Sequence, residues 1–290
     1  TNLYAQGYFA YDSKKSGGVT RSHLRFSKHP IRSTYLVTKP NFVACSVPAY
    51  MGKYDMISGL REGGTFLLNT IWDKDRVVET IPNEIKRELA RKKARFFIIN
   101  ATELAKEVGL GNRTNTIMQS AFFYLTQVIP YEEAKDYMKD YAEKTYGRKG
   151  HDVVEKNWAA VDKGTEGLEE IPVDPSWADL PVNEEIIESN KPEFVKRIAD
   201  PVNAIKGYDL PVSAFIGYED GTFENGTTHY EKRGIAVDVP EWQPDMCIQC
   251  NQCAYVCPHA VIRPFLIDEK EMAAAPEGMP TIKAIGKGFE

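Results

Sequence analysis

With 290 residues the chain is long enough to bury a sizeable core, and at roughly 100–200 residues per domain it holds one large or two unequal domains. Its net charge of −5 and the absence of a basic stripe exclude a nucleic-acid surface, and its strand-sized apolar runs fall well short of the ~20 residues that span a bilayer, which excludes a membrane role. Five cysteines without an apolar leader at the start exclude a secreted disulfide scaffold, so a reducing cytoplasm is the expected compartment and the Asn-x-Thr triplets at Asn112 and Asn225 are chance matches.

The N-terminal half alternates strand-like and helix-like segments, the pattern of an open, mostly parallel α/β sheet with crossover helices. Strands are predicted over Leu3–Tyr11 and Ser33–Ala44, the latter rich in Val, Tyr and Thr. A helix over Tyr54–Leu60 stops at Gly63-Gly64, and Thr65–Asn69 resumes as a buried strand. A second helix, Pro82–Arg91, ends beside Lys92-Lys93, cations that favour a helix C-terminus, and Arg95–Asn100 is the next strand. A short helix over Thr102–Val108 follows, with Thr102 as N-cap.

From Asn115 helices take over. Ile117–Leu125 is apolar nearly all round and therefore central, and Pro130 ends it. Tyr131–Tyr146 and His151–Leu168 are amphipathic helices separated by Gly147 and Gly150. Composition shifts near Ile171. The proline-rich stretch 172–240, with one helical piece around Phe194–Ile198, is expected to be a linker wrapping over neighbouring surface. The expected domains are residues 1–170, an α/β unit; 171–238, the wrapping region; and 239–290, a small cysteine-bearing unit.

That last unit carries the strongest motif. Cys247, Cys250, Cys253 and Cys257 lie within eleven residues as C-x2-C-x2-C-x3-C, followed by Pro258, the ligand run of bacterial ferredoxins. Thiolates two residues apart can curl around one corner of a [4Fe-4S] cubane, so Cys247, Cys250 and Cys253 are expected to hold three irons of one cluster. In two-cluster ferredoxins the fourth cysteine turns to the other cluster. No further cysteine follows Cys257, so either it closes a single cluster locally or its partner motif lies beyond Glu290. The second option fits better, because the chain starts at Thr1 and ends on an unfinished element, and the chain reads as an excised piece. Zinc is the alternative occupant, in a non-enzymatic interaction module with a zinc or empty site. It suits the motif less well, since His259 is too close to Cys257 to supply the second half of a zinc site.

Other candidates are weaker. The turn Asp12-Ser-Lys-Lys-Ser-Gly-Gly18 has backbone N–H groups and two ammonium groups that suit a phosphate, although its spacing is not that of a P-loop and a solvated polar turn is the simpler reading. Arg21, His23 and Arg25 alternate on one face of a strand, as an anion-binding row or, preferably, an exposed edge. His29, His151 and His229 have no partner constellation. Cys45 sits in an apolar run and is expected to be buried and inert.

Taken in order, Ala5-Gln-Gly-Tyr-Phe-Ala-Tyr-Asp-Ser-Lys-Lys-Ser-Gly-Gly18, Ser22-His-Leu-Arg-Phe26, Ser33-Thr-Tyr-Leu-Val37, Ile117-Met-Gln-Ser-Ala-Phe-Phe123, Tyr230-Glu-Lys-Arg-Gly-Ile-Ala-Val237 and the cysteine run resemble an internal portion of the pyruvate:ferredoxin (flavodoxin) oxidoreductases. The resemblance implies a gamma-subunit-like α/β domain, a linker, and the first half of an inserted two-cluster ferredoxin domain. It implies oxidative decarboxylation of pyruvate with coenzyme A to acetyl-CoA and carbon dioxide, electrons leaving through three [4Fe-4S] clusters to ferredoxin or flavodoxin, in an enzyme expected to be a homodimer. The glycine-rich unit expected before Asn2, the thiamine-binding Gly-Asp-Gly motif, the pyruvate domain and the second cysteine motif are not in this sequence. Thiamine diphosphate and magnesium are therefore expected in the parent enzyme but not on this segment, which is not catalytic alone. The association of coenzyme A with the gamma-like domain makes Lys14, Lys15, Ser16, Gly17 and Gly18 candidate contacts to its phosphates.

Overall fold

The computed structural model describes residues 3–12, 14, 17–182, 190–231 and 239–286. Two compact units emerge, Thr1–Ile235 and Ala236–Glu290.

The first unit opens with an antiparallel hairpin, β1 (Tyr4–Tyr11) and β2 (Thr20–Ser27), paired from Tyr4↔Ser27 to Tyr11↔Thr20. The main sheet has the order β3 (Phe42–Cys45), β4 (Thr65–Asn69), β5 (Arg95–Ile99) and β6 (Glu169–Ile171). β3, β4 and β5 run parallel, and β6 closes the edge antiparallel, with Phe96 opposite Ile171. The expected open, mostly parallel sheet with flanking helices is therefore present.

Period-2 alternation in β4 and β5 divides the core into two layers. Phe66, Leu68, Phe96 and Ile98 face α1 (Lys74–Thr80) and α2 (Asn83–Arg91) through Val77, Ile81, Ile85 and Leu89. Leu67, Phe97 and Ile99 face the other layer, made by α3 (Ala101–Glu107), α4 (Asn115–Thr126) and α6 (His151–Lys163) through Ala101, Ala105, Ile117, Met118, Ala121 and Ala160. α5 (Tyr131–Tyr146) joins α4 to α6 and turns Ala134, Met138 and Ala142 inward.

Several expectations need correction. Of the strand predicted over Ser33–Ala44 only its end is β3, because residues 33–37 are held by side chains of the hairpin instead of a ladder. Gln6 donates to Ser33 O at 2.7 Å, Arg25 to Leu36 O at 2.9 Å, and Val37 N to His23 Nδ1 at 3.2 Å. The helix predicted over Tyr54–Leu60 is absent: Tyr54, Ile57 and Leu60 are buried at helical spacing, but as anchors of a loop. Gly59 there approaches backbone so closely that a Cβ would lie 2.6 Å from Thr38 O. The α3 N-cap is Asn100, whose side chain accepts from Glu103 N at 3.0 Å, two residues earlier than Thr102. α6 ends at Lys163, short of Leu168. α1 was not anticipated, although Asp73 caps it through Arg76 N at 2.8 Å.

The wrapping region crosses α2, where Asn83 and Arg87 donate to Pro181 O and Leu180 O at 2.9 and 3.1 Å. It then builds a small core of Phe194, Val195, Ile198 and Ala199 against Tyr218 and Tyr230. A single π-helical turn, Val195–Ala199, runs into α7 (Asp200–Asn203). Among its described residues the second unit has two short α-helices, α8 (Gln252–Val256) and α9 (Glu269–Ala273). No residue among its described positions 239–286 is buried. No helix among the described residues is long and apolar enough to cross a membrane.

Candidate functional site

In the cysteine run, left-handed backbone at Gln249 (φ 56°), Asn251 (φ 57°) and Ala260 (φ 51°) turns the chain beside Cys247, Cys250 and Cys257. α8 starts after Asn251 and carries Cys253. Cys247 receives a hydrogen bond from the indole N–H of Trp242 and another from the amide of Gln249, and these donors hold its thiol below its ordinary pKa. Cys257 is lowered in the same direction by amides of Val261, His259 and Ile262, with Ala260 adding to them. Cys250 and Cys253 are exposed, and all four thiols are free.

Four soft thiol donors, two already receiving N–H bonds of the kind that stabilise thiolate, fit an iron–sulfur cluster in donor chemistry. Among the described residues, no three His, Cys, Asp or Glu side chains converge on a common ion site. Spacing and hydrogen bonding therefore carry the assignment of ligands. Trp242 escaped the sequence reading because an indole five residues from a cysteine has no motif value until the turn Pro244–Met246 brings the two together.

The described residues between β1 and β2, Asp12, Lys14, Gly17 and Gly18, have partners near and far in the chain. Lys14 N donates to Asp12 Oδ1 at 3.1 Å, Gly17 has φ 73°, and a Cβ on Gly18 would lie 2.5 Å from Asp12 Cβ. Gly18 O accepts from the Tyr50 hydroxyl at 2.8 Å. The Lys14 ammonium, expected to face solvent or a phosphate, lies 2.6 Å from Glu231 Oε1 and donates to Asn203 Oδ1 at 3.0 Å. Lys15 and Ser16 fall outside the described residues. Beside this tether lies a cleft of about 780 Å³ whose lining includes Lys53, Lys191, Asn203, His229 and Glu231. Glu231 and Asn203 were missed because they stand 217 and 189 residues from Lys14, beyond any local signal.

The Arg21, His23 and Arg25 row is not simply an exposed edge. Arg21 is exposed, but His23 and Arg25 are half-buried and hold residues 33–37, with the Arg25 guanidinium 4.0 Å from the centre of the Tyr35 ring. Cys45 is buried, its thiol donates to Val47 O at 3.1 Å, and burial pushes its pKa up to about 11.

Comparison with known proteins gives three adjoining matches. Residues 1–167 match the family model described as pyruvate ferredoxin/flavodoxin oxidoreductase, 182–236 a domain of unknown function, and 239–262 a 4Fe-4S binding domain. The last match favours the iron–sulfur reading of the cysteines over zinc. The chain is 52% identical to the pyruvate:ferredoxin oxidoreductase of Moorella thermoacetica over 99% of its own length and 24% of that protein. Identity to the pyruvate-flavodoxin oxidoreductase of Enterobacter agglomerans is 50%, again over 99% of this chain and 24% of the relative. A mitochondrial pyruvate dehydrogenase [NADP(+)] of Euglena gracilis is 43% identical over 99% of this chain and 16% of its own length. The chain thus spans about a quarter or less of these relatives.

Proposed function

Because the chain belongs to the pyruvate ferredoxin/flavodoxin oxidoreductase family, we propose that it is the scaffold and electron-relay segment of an enzyme that oxidatively decarboxylates pyruvate with coenzyme A. In that reaction pyruvate and coenzyme A yield acetyl-CoA, carbon dioxide, one proton and two electrons. The observation that carries the reading is the ferredoxin cysteine run adjoining an α/β unit of this family. Cys247, Cys250 and Cys253 would hold three irons of one [4Fe-4S] cluster, with Cys257 reaching for a second. When bound, such clusters accept and release single electrons. The chain's own part is to present thiolates: Trp242 and Gln249 donate to Cys247, and the amides of residues 259–262 donate to Cys257.

The segment is 43–52% identical to relatives whose names carry ferredoxin, flavodoxin and NADP(+). That supports a place upstream of the choice of terminal acceptor. Thiamine diphosphate and magnesium belong to other parts of the parent enzyme, whose remaining domains are this segment's partners, and we place the enzyme in the cytoplasm as a homodimer. Gly17, Gly18, Lys15 and Ser16, with Lys14 supporting the turn, would contact the phosphates of coenzyme A.

The test is anaerobic purification of the full-length protein, with iron, zinc and pyruvate-dependent reduction of ferredoxin and flavodoxin measured. Expected are iron at these cysteines, loss of charge-transfer absorbance on replacing Cys250 or Cys253 with Ala, and reduction that requires coenzyme A. Zinc in place of iron, or wild-type absorbance in both variants, would overturn it. Lys15→Ala is expected to raise KM for coenzyme A, and an unchanged KM removes the phosphate contacts.

A further inference from the structure

We propose that Glu231 is a positioning residue which, with Asn203, fixes Lys14, making residues 190–231 a clamp on the connection between β1 and β2. This assigns a role to a region whose family match carries none. The functional consequence rests on the coenzyme A contacts proposed above; the clamp itself rests on geometry.

Both acceptors of the Lys14 ammonium come from one body. Tyr230, next to Glu231, packs against the small core of Phe194, Val195, Ile198 and Ala199, and Asn203 ends the helix that continues the π-helical turn of that core. The Lys14 and Glu231 side chains are only 19% and 13% exposed, so the pair is shielded from the screening that makes surface pairs weak. The opposite end of the turn is fixed from the α/β core, where Tyr50 donates to Gly18 O and stacks edge-on against Tyr54 at 5.0 Å. The Lys14 amide donates to Asp12 Oδ1 at 3.1 Å, and Gly18 packs against the Asp12 side chain. A turn of successive backbone N–H groups binds an anion well only when its shape is set beforehand. The cleft beside Glu231 and Asn203 leaves room for a ligand next to the clamp.

The experiment uses the full-length enzyme with Glu231→Gln, which keeps shape and removes charge, and Lys15→Ala as a control for the phosphate contacts. Amide hydrogen exchange of the peptide covering residues 12–18 is read together with KM for coenzyme A and for pyruvate. The expected result for Glu231→Gln is exchange at 12–18 faster by about tenfold, with KM for coenzyme A rising more than KM for pyruvate. Lys14→Glu combined with Glu231→Lys is expected to recover part of the protection. Unchanged exchange at 12–18 in folded Glu231→Gln overturns the clamp, whatever Lys15→Ala does. If Glu231→Gln loosens the turn but neither variant alters KM for coenzyme A, the clamp stands and the coenzyme A contacts fall. Should Glu231→Gln fail to fold, Asn203→Ala removes only the 3.0 Å acceptor and is read by the same criteria.

Discussion

At the scale of single residues, the cysteines divide by what surrounds the sulfur. Cys45 ends β3 and is buried in the core, and burial raises its thiol to about 11 from an ordinary 9.0. Because the folded pKa is the higher one, its contribution to stability is complete below about pH 9 and is lost as pH rises towards 11. A Cys45→Ala variant is expected to lose that part of the alkaline decline in thermal midpoint, and native Cys45 to resist alkylation until the chain unfolds. Cys247 has the opposite surroundings, with Trp242 and Gln249 donating to its sulfur. Removing an N–H donor leaves a ligating thiolate richer in electrons and disfavours reduction. Potentiometry followed by electron paramagnetic resonance on the loaded enzyme should show Trp242→Phe with a more negative cluster potential than wild type.

Between elements, α4 and α6 meet at close quarters around Ser120 and Gly164. Ser120 donates to Val161 O at 2.6 Å and lies 2.9 Å from the Tyr131 hydroxyl. A Cβ on Gly164 would overlap Ser120 and come within 2.8 Å of Ile117 O. Overpacking of this kind costs roughly 1–3 kcal/mol, so Gly164→Ala is expected to lower the denaturation midpoint, whereas Gly147→Ala, with nothing within 4 Å, is not. α5 and α6 are joined by Asp162, which takes Lys139 at 2.8 Å and Lys135 at 3.4 Å. Partial burial alone would raise the Asp162 pKa, but the two ammonium groups outweigh it and the net direction is down from 3.8. The folded value being the lower, this stabilisation is present above about pH 4 and is lost as pH falls through the folded value. Asp162→Asn should therefore show a flatter acid limb in thermal midpoint against pH.

Across the whole molecule, the two units differ in what holds them together. Thr1–Ile235 has two apolar layers around a sheet, whereas none of residues 239–286 is buried and Ile248, Tyr255, Phe265 and Leu266 stand exposed. A segment of this size without a core needs a metal or further chain to fold stably. Chelating iron from the anaerobic full-length enzyme is expected to make residues 239–286 sensitive to protease while Thr1–Ile235 stays protected. Equal resistance with and without iron would count against cluster-dependent folding.

What the amino-acid sequence determined by itself is what depends on neighbours along the chain. The buried strands Thr65–Asn69 and Arg95–Ile99, the helices Asn83–Arg91 and Tyr131–Tyr146, and the cysteine run were legible because periodicity and ligand spacing are local properties. The loop at 51–60 shows the limit of that logic, since Tyr54, Ile57 and Leu60 have helical spacing yet serve as three separate anchors. Only the tertiary structure decided that residues 33–37 lean on Gln6, His23 and Arg25, that Trp242 reaches Cys247, and that Lys14 is spoken for by Glu231. Those pairings bring together groups whose partner is chosen by the packing of the elements between them. Across 217 residues, no spacing along the chain could have announced the last of them.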